Sequence, residues 1–141
     1  MSVTPLPLDA RGLRALLSQQ GCSGPCTCTV GPCPSWESVP DERWPKAHMQ
    51  PVGTLRQPAT DLPSEATFEE HHPQGTRYES AAAPVAPAYF PFNRCDVFAC
   101  QSCHSVLLKY TEYGGYYIDH RVRAVQADLI VDAALPPAET D

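Results

Sequence analysis

A chain of 141 residues has room for one domain, and its net charge of -6 is modest. Leu, Ile, Val and Phe make up only 27 of those residues, about 19%, while seven Cys, sixteen Pro and eight Gly fill much of the remainder. This composition excludes a coiled coil, a transmembrane protein and a large enzyme with a thick apolar core. It favours a small core reinforced by metal or disulfides.

Residues 9–20 are expected to form a short helix. Asp9 is placed to cap its first turn, Gly21 to end it, and Leu13, Leu16 and Leu17 lie on one stripe. The Gly/Pro-punctuated run that follows carries Cys22, Cys26, Cys28 and Cys33, a loop able to wrap its backbone around something compact. Residues 35–64 are broken by prolines, with Trp36 and Trp44 as apolar anchors. Short strands are expected at 52–56 and 66–71. The Ala/Pro-rich stretch 81–91 reads as a linker or wrapping arm. Phe90 to Phe98 is a candidate third strand for the hairpin beyond it.

Val106, Leu108 and Tyr110 alternate with Leu107, Lys109 and Thr111 in a strand pattern. Gly114-Gly115 is a favoured two-residue turn. That turn predicts Tyr113 opposite Tyr116, Thr111 opposite Ile118, Lys109 opposite His120 and Leu107 opposite Val122. Residues 122–131 are expected to be helical, because Val122, Val125 and Leu129 follow an i, i+3, i+7 pattern without Gly or Pro. The predicted organisation is one domain in four stretches. These are a helix plus cysteine-rich loop over 1–34, a proline-rich wrapping segment over 35–91, a knuckle, hairpin and helix over 92–135, and a frayed tail over 136–141. The expected fold class is α+β, a small irregular metal-stabilised domain with a β-hairpin and one or two short helices.

Sixteen acids face ten bases, only two of them lysines, and no run of basic residues occurs. Nucleic-acid binding draws on neutralised phosphates, so no nucleic-acid partner is expected. Pro5, Pro7, Asp9 and Arg11 interrupt the only candidate leader, and no apolar segment reaches the ~18 residues of a membrane span. A cytoplasmic location without membrane contact is the expectation. Reducing conditions there favour metal ligands or thiols over stable disulfides.

Cys95, Cys100 and Cys103 precede the hairpin, with Cys100-Gln-Ser-Cys103 as a two-residue-spaced pair leading into a strand. This stretch, about Cys95 to Val122, resembles half of a zinc ribbon. Zinc takes four ligands in a tetrahedron, and thiolates suit it. His71 and His72 lie in a segment that can fold back as the fourth ligand. His120, opposite Lys109 in the predicted register, stands roughly 20 Å along the strand from Cys103. Cys22, Cys26, Cys28 and Cys33 satisfy a zinc of their own or lend a thiol to the second group, giving one four-thiolate site that joins distant parts of the chain. Iron–sulfur and copper(I) are rival occupants of the first cluster. Cys100-Gln-Ser-Cys103-His104 also matches the c-type haem attachment pattern, but a hairpin follows where helical surroundings are usual. A thioredoxin-like pair would want a helix after the first thiol.

No Walker loop, dinucleotide fingerprint or nucleophile elbow occurs, and Glu69, Glu70, His71 and His72 lack metalloprotease spacing. The leading functional expectation is a small zinc-binding accessory or protein-interaction protein, not an enzyme. A metal- or thiol-dependent enzyme and a metal-handling protein using the N-terminal thiols are the alternatives. Tyr110 and Tyr117, on the more polar face of the predicted hairpin, are the expected contact patch for a protein partner.

Overall fold

A computed structural model describes residues 8–20, 33, 35–56, 70–101, 104–113, 116 and 118–132. Helix α1 spans Ala10–Gln20. Five strands follow: β1 (Glu37–Ser38), β2 (Met49–Thr54), β3 (Asp96–Cys100), β4 (Val106–Tyr113) and β5 (Ile118–Ala124). They form one sheet in the order β1-β5-β4-β3-β2, with every pair antiparallel. The expectation of an irregular, zinc-ribbon-like α+β domain is therefore corrected. The described residues are dominated by an antiparallel five-stranded sheet with one short helix.

The sheet can carry the fold because both its faces are covered. Residues alternate across a strand, so neighbours in sequence enter different layers. Cys95, Val97, Val106, Leu108, Tyr110 and Val125 belong to one buried cluster, together with Leu13 of α1, Trp36, Leu55, Val85 and Phe92. Cys100, Leu107 and Val122 belong to a second, with Cys33, Val39 and Met49, against which Trp44 and Phe98 pack. Helix α1 starts as the sequence indicates: the Gly12 amide donates to Asp9 Oδ1 at 2.8 Å, and Leu13 is fully buried. At the sheet's edge, β2 contains Pro51, and its pairing with β3 shifts between Pro51 and Gly53. A proline and a bulge both blunt an edge strand against pairing with other chains.

The hairpin exists, with a different turn. Tyr113 lies opposite Ile118, Thr111 opposite His120, Lys109 opposite Val122 and Leu107 opposite Ala124. Positions 114–117 therefore connect the strands, instead of Gly114-Gly115 alone. The shift is by two residues, so each side chain keeps its predicted face. The predicted helix over 122–131 is also corrected. Strand β5 continues to Ala124, and a single 3-10 turn follows at Ala127–Leu129. Val122 and Val125, an odd number of residues apart, enter the second and the first cluster respectively.

The Ala/Pro-rich arm is core, not linker. Ala83, Val85, Ala86 and Tyr89 are buried, and Val85 bridges in parallel to Ile130. Of the two short strands expected upstream, 52–56 overlaps β2, while 66–71 lies mostly outside the described residues, and Glu70 to His72 are not strand. Phe90 to Phe98 divides into a 3-10 turn at Phe92–Arg94 and the first part of β3.

Around Trp36 the first layer is aromatic. Its ring lies 5.1 Å from Tyr110 edge-on, 5.7 Å from Phe92 and 6.0 Å from Tyr78. The Tyr78 and Tyr110 hydroxyls are 2.5 Å apart and share a hydrogen bond. Burial pushes the Tyr78 phenol up to about 12, and burial with the bond to Tyr78 pushes Tyr110 further up. A raised folded-state pKa stabilises below the unfolded value of 10.0 and loses that contribution as pH climbs through the folded one. Unfolding free energy measured in urea is thus expected to fall above pH 10, by at most about 1.4 kcal/mol per pH unit for each tyrosine. The Tyr78→Phe/Tyr110→Phe double variant should flatten that fall. An unchanged slope would rule the pair out as its source.

Candidate metal centre

Strand β3 decides which cysteines can meet. Cys95 is already extended, with φ -97° and ψ 143°, and the strand runs from Asp96 to Cys100. Five residues of extended chain separate the two α-carbons by roughly 16 Å, and the odd spacing puts their side chains on opposite faces. Cys95 sits in the first cluster, fully buried, and its thiol donates to the Pro91 carbonyl at 3.3 Å. Burial holds that thiol well above the ordinary range, so it is protonated. The sequence grouped Cys95 with Cys100; the structure separates them.

Cys100 instead shares the second cluster with Cys33, and both are fully buried. Backbone bonds fix where each of them enters that cluster. The Cys33 carbonyl accepts from the Ala124 amide at 2.8 Å, which ties the N-terminal segment to the end of β5. Ala124 is opposite Leu107, and β4 pairs in turn with β3. Between β3 and β4 the chain reverses tightly: the Cys100 amide donates to Ser105 O at 2.8 Å, and the His104 amide to Cys100 O at 2.7 Å. His104 has φ 64° and Cys33 φ 41°, both left-handed and unfavourable for residues with a Cβ. Burial pushes the Cys33 thiol up to about 12, with the nearby Glu37 carboxylate adding to the effect and Arg43 opposing it. A bound cation would reverse this, since zinc holds its cysteines as thiolates.

The other expected ligands fall elsewhere. Cys22, Cys26, Cys28 and Cys103 lie outside the described residues. Among the described residues, no group of three or more His, Cys, Asp or Glu side chains is gathered for a metal. His71 and His72 lie on the first layer's side, lining a cavity with Trp36, Phe92 and Arg123. The His71 ring packs 4.9 Å from Tyr89. His72 Nδ1 is 2.8 Å from Thr76 Oγ1, and its Nε2 is 2.7 Å from Glu70 Oε1. His120 faces Thr111 at 3.0 Å and Asp41 at 3.5 Å.

The expected tyrosine patch is corrected at Tyr110, which is 4% exposed and belongs to the aromatic core. Tyr117 lies outside the described residues. Among the described residues, Tyr116 and Ile118 are exposed large apolar groups at that end. No helix among the described residues is long and apolar enough to cross a membrane.

Sequence reasoning missed Arg123. It stands opposite Leu108, on the first layer's side of β5, and is 1% exposed. Its Nη2 donates to the Ala83 carbonyl at 2.6 Å and to Ala81 at 3.3 Å, and its guanidinium lies 5.7 Å from the centre of the Phe92 ring. The signal was available in the alternation: Arg123 follows Val122, which the predicted hairpin placed on the face of Leu107, so a strand continued by one residue puts Arg123 on the face of Leu108 and Tyr110.

No family model, curated protein or solved structure matches this chain.

Proposed function

We propose that this chain is a small zinc-binding accessory protein, in which thiols from the 22–33 segment and from the Cys100-x-x-Cys103 loop hold one structural zinc ion. The observation that carries this reading is that Cys33 and Cys100, from the two cysteine runs, are both members of one buried cluster. Thiols suit zinc as thiolates, and a tetrahedral site needs four ligands. Cys103 and one of Cys22, Cys26 and Cys28 are the sequence's candidates for the remaining two positions. Cys95 is not part of this set. Such an ion would pin the cysteine-rich segment against the β3–β4 turn, and its binding free energy would act as folding free energy.

The test is metal analysis of the full chain purified without added metal or chelator, by native mass spectrometry with elemental analysis. One zinc per chain is expected. Cys33→Ala and Cys100→Ala should each lose it, and Cys95→Ala should keep it. Cobalt substitution should give the absorption of a tetrahedral four-thiolate site. No metal, or loss from Cys95→Ala with retention in Cys33→Ala, would overturn the reading. Zinc that exchanges readily would favour metal handling, and a ligand set of three thiolates plus water would favour a catalytic role.

A further inference from the structure

His72 joins two partners that a structural zinc does not use. Its Nδ1 lies 2.8 Å from Thr76 Oγ1, and its Nε2 lies 2.7 Å from Glu70 Oε1. An ionised carboxylate only accepts hydrogen bonds, so Nε2 carries the proton that points at Glu70. In the neutral ring Nδ1 then holds a lone pair, and the Thr76 hydroxyl donates to it. A hydroxyl, an imidazole and a carboxylate in that chain take the roles of nucleophile, general base and the group that orients the base.

A local turn builds the arrangement. Pro73 and Gly75 stand at the second and fourth positions of a tight turn, in which the Gly75 amide donates to the His72 carbonyl at 3.1 Å. Gly75 has φ 81°, which glycine adopts without strain. The chain doubles back and delivers Thr76 to the imidazole. The His71 ring, 4.9 Å from that of buried Tyr89, fastens the segment to the first layer. Among the described residues no backbone carbonyl accepts from the Thr76 amide, which can therefore donate to the oxyanion of an attacked carbonyl. The His72 and Glu70 side chains are 22% and 34% exposed, sheltered and still reachable. Thr111 and His120 make a similar contact at 3.0 Å, but their carboxylate, Asp41, is 3.5 Å away with its side chain 84% exposed, so that imidazole is loosely held. His72 and Glu70 also line the cavity walled by Trp36, Phe90 and Phe92, whose volume of about 10 Å3 has room for one water- or methyl-sized group.

We propose that Thr76, His72 and Glu70 form a hydrolytic site for esters with a short acyl group, of which acetyl is the best fit. The Thr76 oxygen attacks the ester carbonyl while His72 Nδ1 takes its proton. The bond from the acyl carbon to the leaving oxygen breaks, and the alcohol departs with that proton. Water then attacks the acyl-threonine, His72 takes a proton from it and returns it to Thr76 Oγ1, and the acid is released. Thr76 and His72 are the catalytic residues, and Glu70 is a positioning residue.

The experiment follows p-nitrophenol release from p-nitrophenyl acetate and p-nitrophenyl octanoate by the full chain, with acid-quenched samples mapped by peptide mass spectrometry. The acetate should be cleaved about 100-fold faster than by free imidazole at equal histidine concentration. The octanoate should be slower by at least about 10-fold. An acetyl group is expected on Thr76, which zinc-bound water would not leave there. Thr76→Val and His72→Gln should fall to the imidazole rate, and Thr76→Ser should keep the activity. Glu70→Gln should lower kcat by about 10-fold or more with KM unchanged. If the variants do not fold, the acetyl group on Thr76 of the unaltered protein decides the matter. A rate equal to that of imidazole, no acetyl on Thr76, full activity in Thr76→Val, or octanoate cleaved as fast as acetate would overturn the proposal.

Discussion

Trp36→Ala is expected to lower the unfolding free energy by about 3–5 kcal/mol, a large share of the ~5–15 kcal/mol available to a domain of this size. Trp36 is only 6% exposed, and three aromatic rings lie within 6.0 Å of its own. The chain has few aliphatic residues, so its apolar burial is concentrated in such rings. Truncation would also merge the lost volume with the cavity beside Arg123, of which Trp36 is a wall. Water entering there could solvate the guanidinium and return part of the loss. Trp36→Phe, which keeps one ring against Tyr110, should cost about half as much. Urea titration measures both through the midpoint, provided the slope stays constant. A loss below about 1 kcal/mol for Trp36→Ala would show that the aromatic cluster is not the centre of the first layer.

Local features were legible where one residue has one job. Asp9 before an amphipathic run marks the start of α1, and the alternation from Val106 to Thr111 marks β4. The hairpin's faces were legible too, because a two-residue shift in register preserves parity. Its turn was not, since Gly114-Gly115 satisfies a two-residue turn by composition alone, whereas the neighbours of the whole sheet set the pairing. The C-terminal helix was misread for a related reason. Val122, Val125 and Leu129 sample a helical period at only three points, and a strand followed by a 3-10 turn satisfies the same three.

The arm over 81–91 shows what composition hides. Alanines and prolines make a poor core by volume, yet the segment is buried because its backbone is satisfied. Val85 donates to Leu129 O and accepts from Val131 N, while the Ala81 and Ala83 carbonyls accept from Arg123. Those bonds join residues some forty positions apart, which no local pattern reports. The cysteine grouping failed on the same scale. Spacing shows that thiols are near in sequence, but β3 turns the nearness of Cys95 and Cys100 into separation, while Cys33 and Cys100 enter one buried cluster from distant parts of the chain.

That two-layer division makes the largest combined prediction. Leu107 and Leu108 are adjacent, both fully buried, and belong to different clusters. Each Leu→Ala truncation is expected to cost about 2–5 kcal/mol. Their side chains lie on opposite faces and share no cluster but they share a backbone, so the double variant is expected to depart from the sum by less than about 1 kcal/mol, the low end for neighbouring residues. A coupling above about 1 kcal/mol would mean that the sheet transmits strain between its faces. The functional consequences should divide likewise. Leu107 packs in the cluster that holds Cys33 and Cys100, so if the proposed zinc is bound, Leu107→Ala should speed its loss to a chelator. Leu108 belongs to the other cluster, so Leu108→Ala should leave the rate of that loss unchanged. If both variants sped the loss equally, global unfolding would be the common cause, and the proposed zinc site could not be assigned to one layer.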